Sequence, residues 1–130
     1  MLKVRIFSFS YLQGGIPADD SGNGGGFVFD CRFITNPGKF EEYKKKTGKD
    51  FDVKFFLETQ TEMPEFLKSV YSLIDKAIDK YDSRGFTNLI VSFGCTGGQH
   101  RSVYAAEAVA KRVAEKYPNV LYEINHNNLK

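Results

Sequence analysis

The chain has 130 residues, 42% of them hydrophobic and 15% aromatic, and a net charge of +2. One domain, 1–130, with one core is therefore expected, and the small net charge argues neither for nor against nucleic acid, for which a strongly basic domain would be the louder signal. Two cysteines are too few for a disulfide framework, no apolar run reaches membrane-spanning length, and the start "MLKVRIFSFS" does not read as a signal peptide, so a cytoplasmic protein with no membrane contact is expected.

Residues 2–11 alternate, with Leu2, Val4 and Ile6 on one face and Lys3 and Arg5 on the other, which predicts a strand. The stretch 13–26, "QGGIPADDSGNGGG", holds six of the twelve glycines and predicts a long loop. "FVFDCRF" at 27–33 predicts a second strand. Its alternation sets Phe27, Phe29, Cys31 and Phe33 on one face, and Asp30 with Arg32 on the other. "TNPG" ends it, and the charged segment 39–46 fits a helical turn.

A helix over 62–81 follows from the continuous stripe Met63, Phe66, Leu67, Val70, Leu73, Ile74, Ala77, Ile78 and Tyr81. Thr61 is its expected N-cap, Pro64 fits its first turn and Gly85 follows its end. "NLIVSF" at 88–93 predicts a buried strand. A helix over about 100–116 carries the inner stripe Val103, Ala106, Ala110 and Val113 and an exposed Glu107–Lys111 pair. Pro118 ends it, and "VLYEI" at 120–124 predicts the last strand. The order predicts a single-domain α/β sandwich with a mixed, partly parallel sheet and flanking helices.

The run "GCTGGQHRS" at 94–102 lies between a strand and a helix. A helix start offers free backbone N–H groups and a partial positive charge. Gly97 and Gly98 let backbone approach an anion, Thr96 and Ser102 can donate hydroxyl bonds, and Arg101 supplies a planar fork for phosphate oxygens. The alternative is an ordinary helix cap with a surface arginine. No P-loop is present: "TGKD" at 47–50 lacks its spacing, and "GNGGGF" at 22–27 is not a dinucleotide fingerprint. No cofactor or metal is expected. Cys95, Gly98, Arg101 and Ser102 also resemble the phosphate loop of cysteine-dependent phosphatases, which would make Cys95 the nucleophile and Arg101 its phosphate clamp. The residue before that cysteine is Gly94, not the histidine of those enzymes, and Asp19, Asp20 or Asp30 would have to supply the general acid.

"GCTGGQHRSVY" also resembles the signature of the RapZ family's C-terminal domain, whose longer members (the YvcJ type) were described as nucleotide-binding. "FSFSY…GIPAD" at 7–19, "VFDCRFITNP" at 28–37, "TGKD" and the closing "H…L" at 126–129 resemble the same domain in the same order. The resemblance implies a fold related to part of a sugar-phosphate kinase, binding of a phosphosugar such as glucosamine-6-phosphate, RNA binding, self-association into a homo-oligomer, and an N-terminal P-loop domain that this sequence lacks. Carried over by position, the ligand site would comprise Asp30, Arg32, Cys95, Thr96, Gly97, Gly98, His100, Arg101 and Ser102, with a plain ion pair on the sheet face as the equal alternative for Asp30 and Arg32. Two departures stand out. Gly38 replaces a histidine common after "NP", and neither the glycine-rich loop nor the end "NHNNLK" is basic, so weak RNA binding or none is expected. The sequence thus predicts a non-catalytic phosphosugar-binding regulatory module, with a cysteine phosphatase and an RNA-binding adapter as its rivals.

Overall fold

The computed structural model describes residues 1–22 and 26–129. The apolar alternating segments become four strands: β1 (Lys3–Ser10), β2 (Gly26–Asp30), β3 (Asn88–Cys95) and β4 (Leu121–His126). Three helices intervene: α1 (Phe51–Gln60), α2 (Met63–Ser83) and α3 (Arg101–Lys116). The strands form one sheet in the order β2-β3-β1-β4, and all three pairings are parallel. The α/β architecture is as expected; the sheet is parallel throughout rather than mixed. The reason is topological. β1 and β2 are joined by a long loop rather than a hairpin, and β3 lies between them, so every connection becomes a crossover.

The core lies on one face of the sheet. Val4, Ile6, Leu89, Val91, Phe93 and Cys95 join one buried cluster with Val53 and Leu57 of α1, with Leu67, Val70, Ile74 and Ile78 of α2, and with Ala105, Ala106, Val109 and Val113 of α3. Each fully buried aliphatic side chain contributes about 1.5–3 kcal/mol. Phe7, Phe9 and Ile90, which alternate to the other face, are also buried. Arg5 pins the glycine-rich loop across that face through its 2.6 Å ion pair with Asp20, and a second pair at 2.9 Å ties it to Glu123 of β4. Part of the predicted loop, 23–25, lies outside the described residues.

Four local expectations need correction. The second strand stops at Asp30; Cys31–Ile34 is a turn closed by Ile34 N donating to Cys31 O, because Asp30 bends to accept from the Arg32 amide. Residues 51–60 form a helix that the sequence pattern did not announce. The segment 39–46 is not one helical turn: two 3-10 turns, Pro37–Lys39 and Glu41–Tyr43, cover its first half, and a plain turn at 44–45 leads out of it. Glu107 does not pair with Lys111: it accepts from His126 at 2.7 Å, while Lys111 lies 4.0 Å from Glu115. The cap expectation also shifts: Glu62, not Thr61, is the N-cap of α2, and Thr61 ends α1 with its Oγ1 accepting from Met63 N at 3.1 Å. No helix among the described residues is long and apolar enough to cross a membrane.

Candidate functional site

β3 ends at Cys95 and α3 starts at Arg101, so residues 96–100 form a short turn at the carboxyl edge of a parallel sheet, where ligands of open α/β folds bind. The turn is fixed from behind. Ser10 Oγ donates to Thr96 O at 2.6 Å, and Ser10 N donates to Asn128 Oδ1 at 2.8 Å. Gly98 has φ +66°, and a Cβ there would sit 2.9 Å from Ser10 N and from Asn128 Cβ. Both conformation and space therefore demand glycine. In front, Gln99 Nε2 donates to Lys44 O and Lys46 O at 2.8 and 2.6 Å. Gly48 N donates to Gln99 O, and a Cβ on Gly48 would lie 2.3 Å from His100 O. The 44–48 segment is thus fastened to the front of α3.

A cleft of about 220 Å³ remains between the turn and the 36–44 segment, lined by Asn36, Gly38, Lys44, Cys95, Thr96, Gly97, Gln99, His100 and Arg101. The first helical amide to find an acceptor is that of Tyr104, on His100 O, so the amides of residues 101–103 stay open, as at any helix start. Arg101 is only 4% exposed. Its Nη1 donates to Arg32 O and Ile34 O, each at 2.9 Å, and its Nε is buried without a partner among the described residues. A buried charged N–H left unsatisfied is costly and marks a place where an acceptor is wanted.

His100 bonds Tyr43 O at 2.8 Å through Nε2. A carbonyl only accepts, so Nε2 carries the proton in the neutral ring and Nδ1 is the lone-pair nitrogen. Burial lowers the His100 pKa below its ordinary value, and the bond to Tyr43 O only partly opposes this. The neutral ring is therefore the resident form near pH 7.

Five of the nine sequence-predicted residues, Cys95, Thr96, Gly97, His100 and Arg101, line the cleft together. Gly98 shapes the turn from behind it. Ser102 is fully buried and accepts from Cys95 Sγ at 3.1 Å. Asp30 and Arg32 do not line the cleft. They pair with each other, Arg32 Nη2 to Asp30 Oδ2 at 2.7 Å, with the Arg32 guanidinium 3.9 Å from the Tyr11 ring. Hydrogen bonds from Arg32 hold the Asp30 carboxyl below the ordinary carboxylate range. Their link to the cleft is the Arg32 carbonyl that Arg101 holds. Sequence reasoning missed Asn36, Gly38, Lys44 and Gln99 as lining residues. Gln99 sat inside the motif, and Asn36, whose side chain caps the Gly38 amide at 2.9 Å, sat in the "TNPG" stop.

The fold is a parallel α/β domain whose candidate cleft lies at a strand-to-helix turn. Residues 2–130 match the family described as RapZ C-terminal domain, and the chain belongs to that family. It is 41% identical over 120 residues to a "Nucleotide-binding protein" of Fervidobacterium nodosum, covering 92% of this chain and 40% of that protein. It is 42% identical over 109 residues to one of Thermosipho melanesiensis, covering 84% of this chain and 37% of the relative. A relative from Lacticaseibacillus casei is 33% identical over 129 residues, 99% of this chain and 40% of its own length. The chain therefore spans about two fifths of the length of these relatives.

Proposed function

We propose that this chain is a non-catalytic regulatory module that binds a phosphosugar of the glucosamine-6-phosphate kind, with the phosphate held by the turn Cys95–Ser102. The observation that carries the reading is Arg101: a buried guanidinium on the cleft wall, at a helix start, with Nε lacking an acceptor. The oxygens of a phosphate could accept between them from that Nε, from the open amides of α3 and from the Thr96 hydroxyl, whose oxygen also accepts from Arg101 Nη2 at 3.5 Å. Lys44 adds a cation at the rim. The neutral His100 ring offers an acceptor for a ligand hydroxyl or ammonium.

The cysteine-phosphatase reading draws less support. Cys95 is 2% exposed with its thiol donating to Ser102, and no carboxylate among the described residues lines the cleft to act as a general acid. The nucleotide binding named for the relatives belongs to proteins of which this chain spans about two fifths. We place the module in the cytoplasm on the same reading. The test is binding of inorganic phosphate, glucosamine-6-phosphate and a nucleotide by calorimetry, beside a phosphate-release assay. Binding of the phosphosugar without release supports the proposal. Steady release that a Cys95→Ser variant loses overturns it.

A further inference from the structure

Cys31 and Cys95 are both free and both buried, at 0% and 2% exposure, and both belong to the core cluster. The register of β2 on β3 sets Asp30 opposite Gly94. One step past the strand end, Cys31 N donates to Gly94 O at 2.7 Å, as the next rung of a parallel ladder would, which sets Cys31 beside Cys95. Neighbouring parallel strands run about 4.8 Å apart, inside the Cα separation of about 4.4–6.8 Å that a disulfide accepts. The side chains leave the sheet on the same face. Only Cys95 reaches the cleft.

We propose that Cys31 and Cys95 form an oxidisable dithiol under the floor of the cleft, and that closing it into a disulfide weakens anion binding at the turn. The second half rests on the proposed phosphate site; the first half does not. The oxidant is a small peroxide, which can enter the cleft and meet Cys95. Cys95 Sγ attacks one peroxide oxygen, the O–O bond breaks, and a sulfenic acid and water form. Cys31 Sγ then attacks the Cys95 sulfur. The S–S bond forms, the S–O bond breaks, and hydroxide leaves with the Cys31 proton as water. Burial pushes the Cys31 thiol up, which slows its reaction with free peroxide; its attack on the Cys95 sulfenic acid relies on the two sulfurs being neighbours.

Closure has a structural consequence. Cys95 Sγ must leave its 3.1 Å contact with Ser102 Oγ. The bridge also ties the Cys31–Ile34 turn, whose carbonyls hold Arg101, to the strand end that carries Thr96. Arg101 then loses the freedom to settle on an anion. By linkage, an anion in the cleft protects the reduced pair.

The experiment treats the reduced chain with hydrogen peroxide, with and without inorganic phosphate. It follows intact mass, free thiols after denaturation and phosphate affinity. The expected result is an intramolecular disulfide with both thiols lost, slower when phosphate is present, and a phosphate Kd raised about 5-fold or more, the low end of usual site–site coupling. A Cys31→Ala chain should bind phosphate like the parent and stop at a sulfenic acid trapped by a 1,3-dione. Thiols that stay free, or over-oxidation of Cys95 with Cys31 untouched, overturn the dithiol. A disulfide that leaves phosphate affinity unchanged overturns the switch. If the disulfide forms but the reduced chain binds no phosphate, the anion site and its regulation fail together while the dithiol stands.

Discussion

Replacing Arg101 by Met should cost stability as well as binding. The side chain keeps its length but loses the two bonds to Arg32 O and Ile34 O, each 2.9 Å. The Ile34 carbonyl is buried there, and leaving it unpaired costs about 1–3 kcal/mol; the half-buried Arg32 carbonyl adds about 1 kcal/mol. The expected loss is thus about 2–4 kcal/mol, read as a lower urea midpoint with an unchanged slope. Under conditions where the variant stays folded, phosphate affinity should fall about tenfold to a hundredfold, the range of a hydrogen bond to a charged group. Cys95→Ser, which removes no charged donor, should leave binding nearly intact. A stability change below about 0.5 kcal/mol would refute the clamp, because such values are typical of surface positions with no structural role.

The other expectations concern titration, the turn and RNA. Hydrogen bonds from Arg112, then from Lys116, hold the Asp75 carboxyl far below the ordinary range, so its contribution is full above the unfolded carboxylate pKa and fades as pH falls below about 4. Urea unfolding of Asp75→Asn at neutral and acid pH should show a smaller loss on acidification than the parent. His100, lowered by burial, should titrate in NMR with a midpoint below the free-histidine value of about 6.5, so stability declines as pH drops below that value; a midpoint above it contradicts the neutral ring. Gly98→Ala should destabilise by about 1–2 kcal/mol through its left-handed backbone, whereas Gly97→Ala, with nothing within 4 Å of its Cβ, should fold normally and bind phosphate less well. Structured RNA should bind weakly, and tight binding that persists at physiological salt would contradict this.

The strands and the two long helices were legible because each carries one continuous apolar face. α1 was not. Its Val53 and Leu57 are buried, but Phe51 is 80% exposed and Phe55 56% exposed, so its apolar residues form no single stripe and tertiary packing decides its state. The parallel sheet order was hidden because strand sequence says nothing about which neighbour lies between β1 and β2. At the site, the strand-to-helix position of the turn 94–102 was readable, since apolar runs on either side fix β3 and α3. The opposite wall, Asn36 to Lys44, was not, because only the fold brings it across. Asp30 and Arg32 were read as one face of a strand, touching ligand or paired with each other; the strand ends between them and the ion pair is what forms. Glu107 shows the same limit, its local partner Lys111 giving way to His126 on β4.

Backbone NMR of the reduced chain titrated with glucosamine-6-phosphate, with free phosphate assayed in the same tube, tests the central claim most directly. The account predicts saturable shifts confined to the amides of residues 95–102 and the Asn36–Lys44 wall, with no phosphate released. Absence of any shift at 95–102, or phosphate release that Cys95→Ser abolishes, would contradict it.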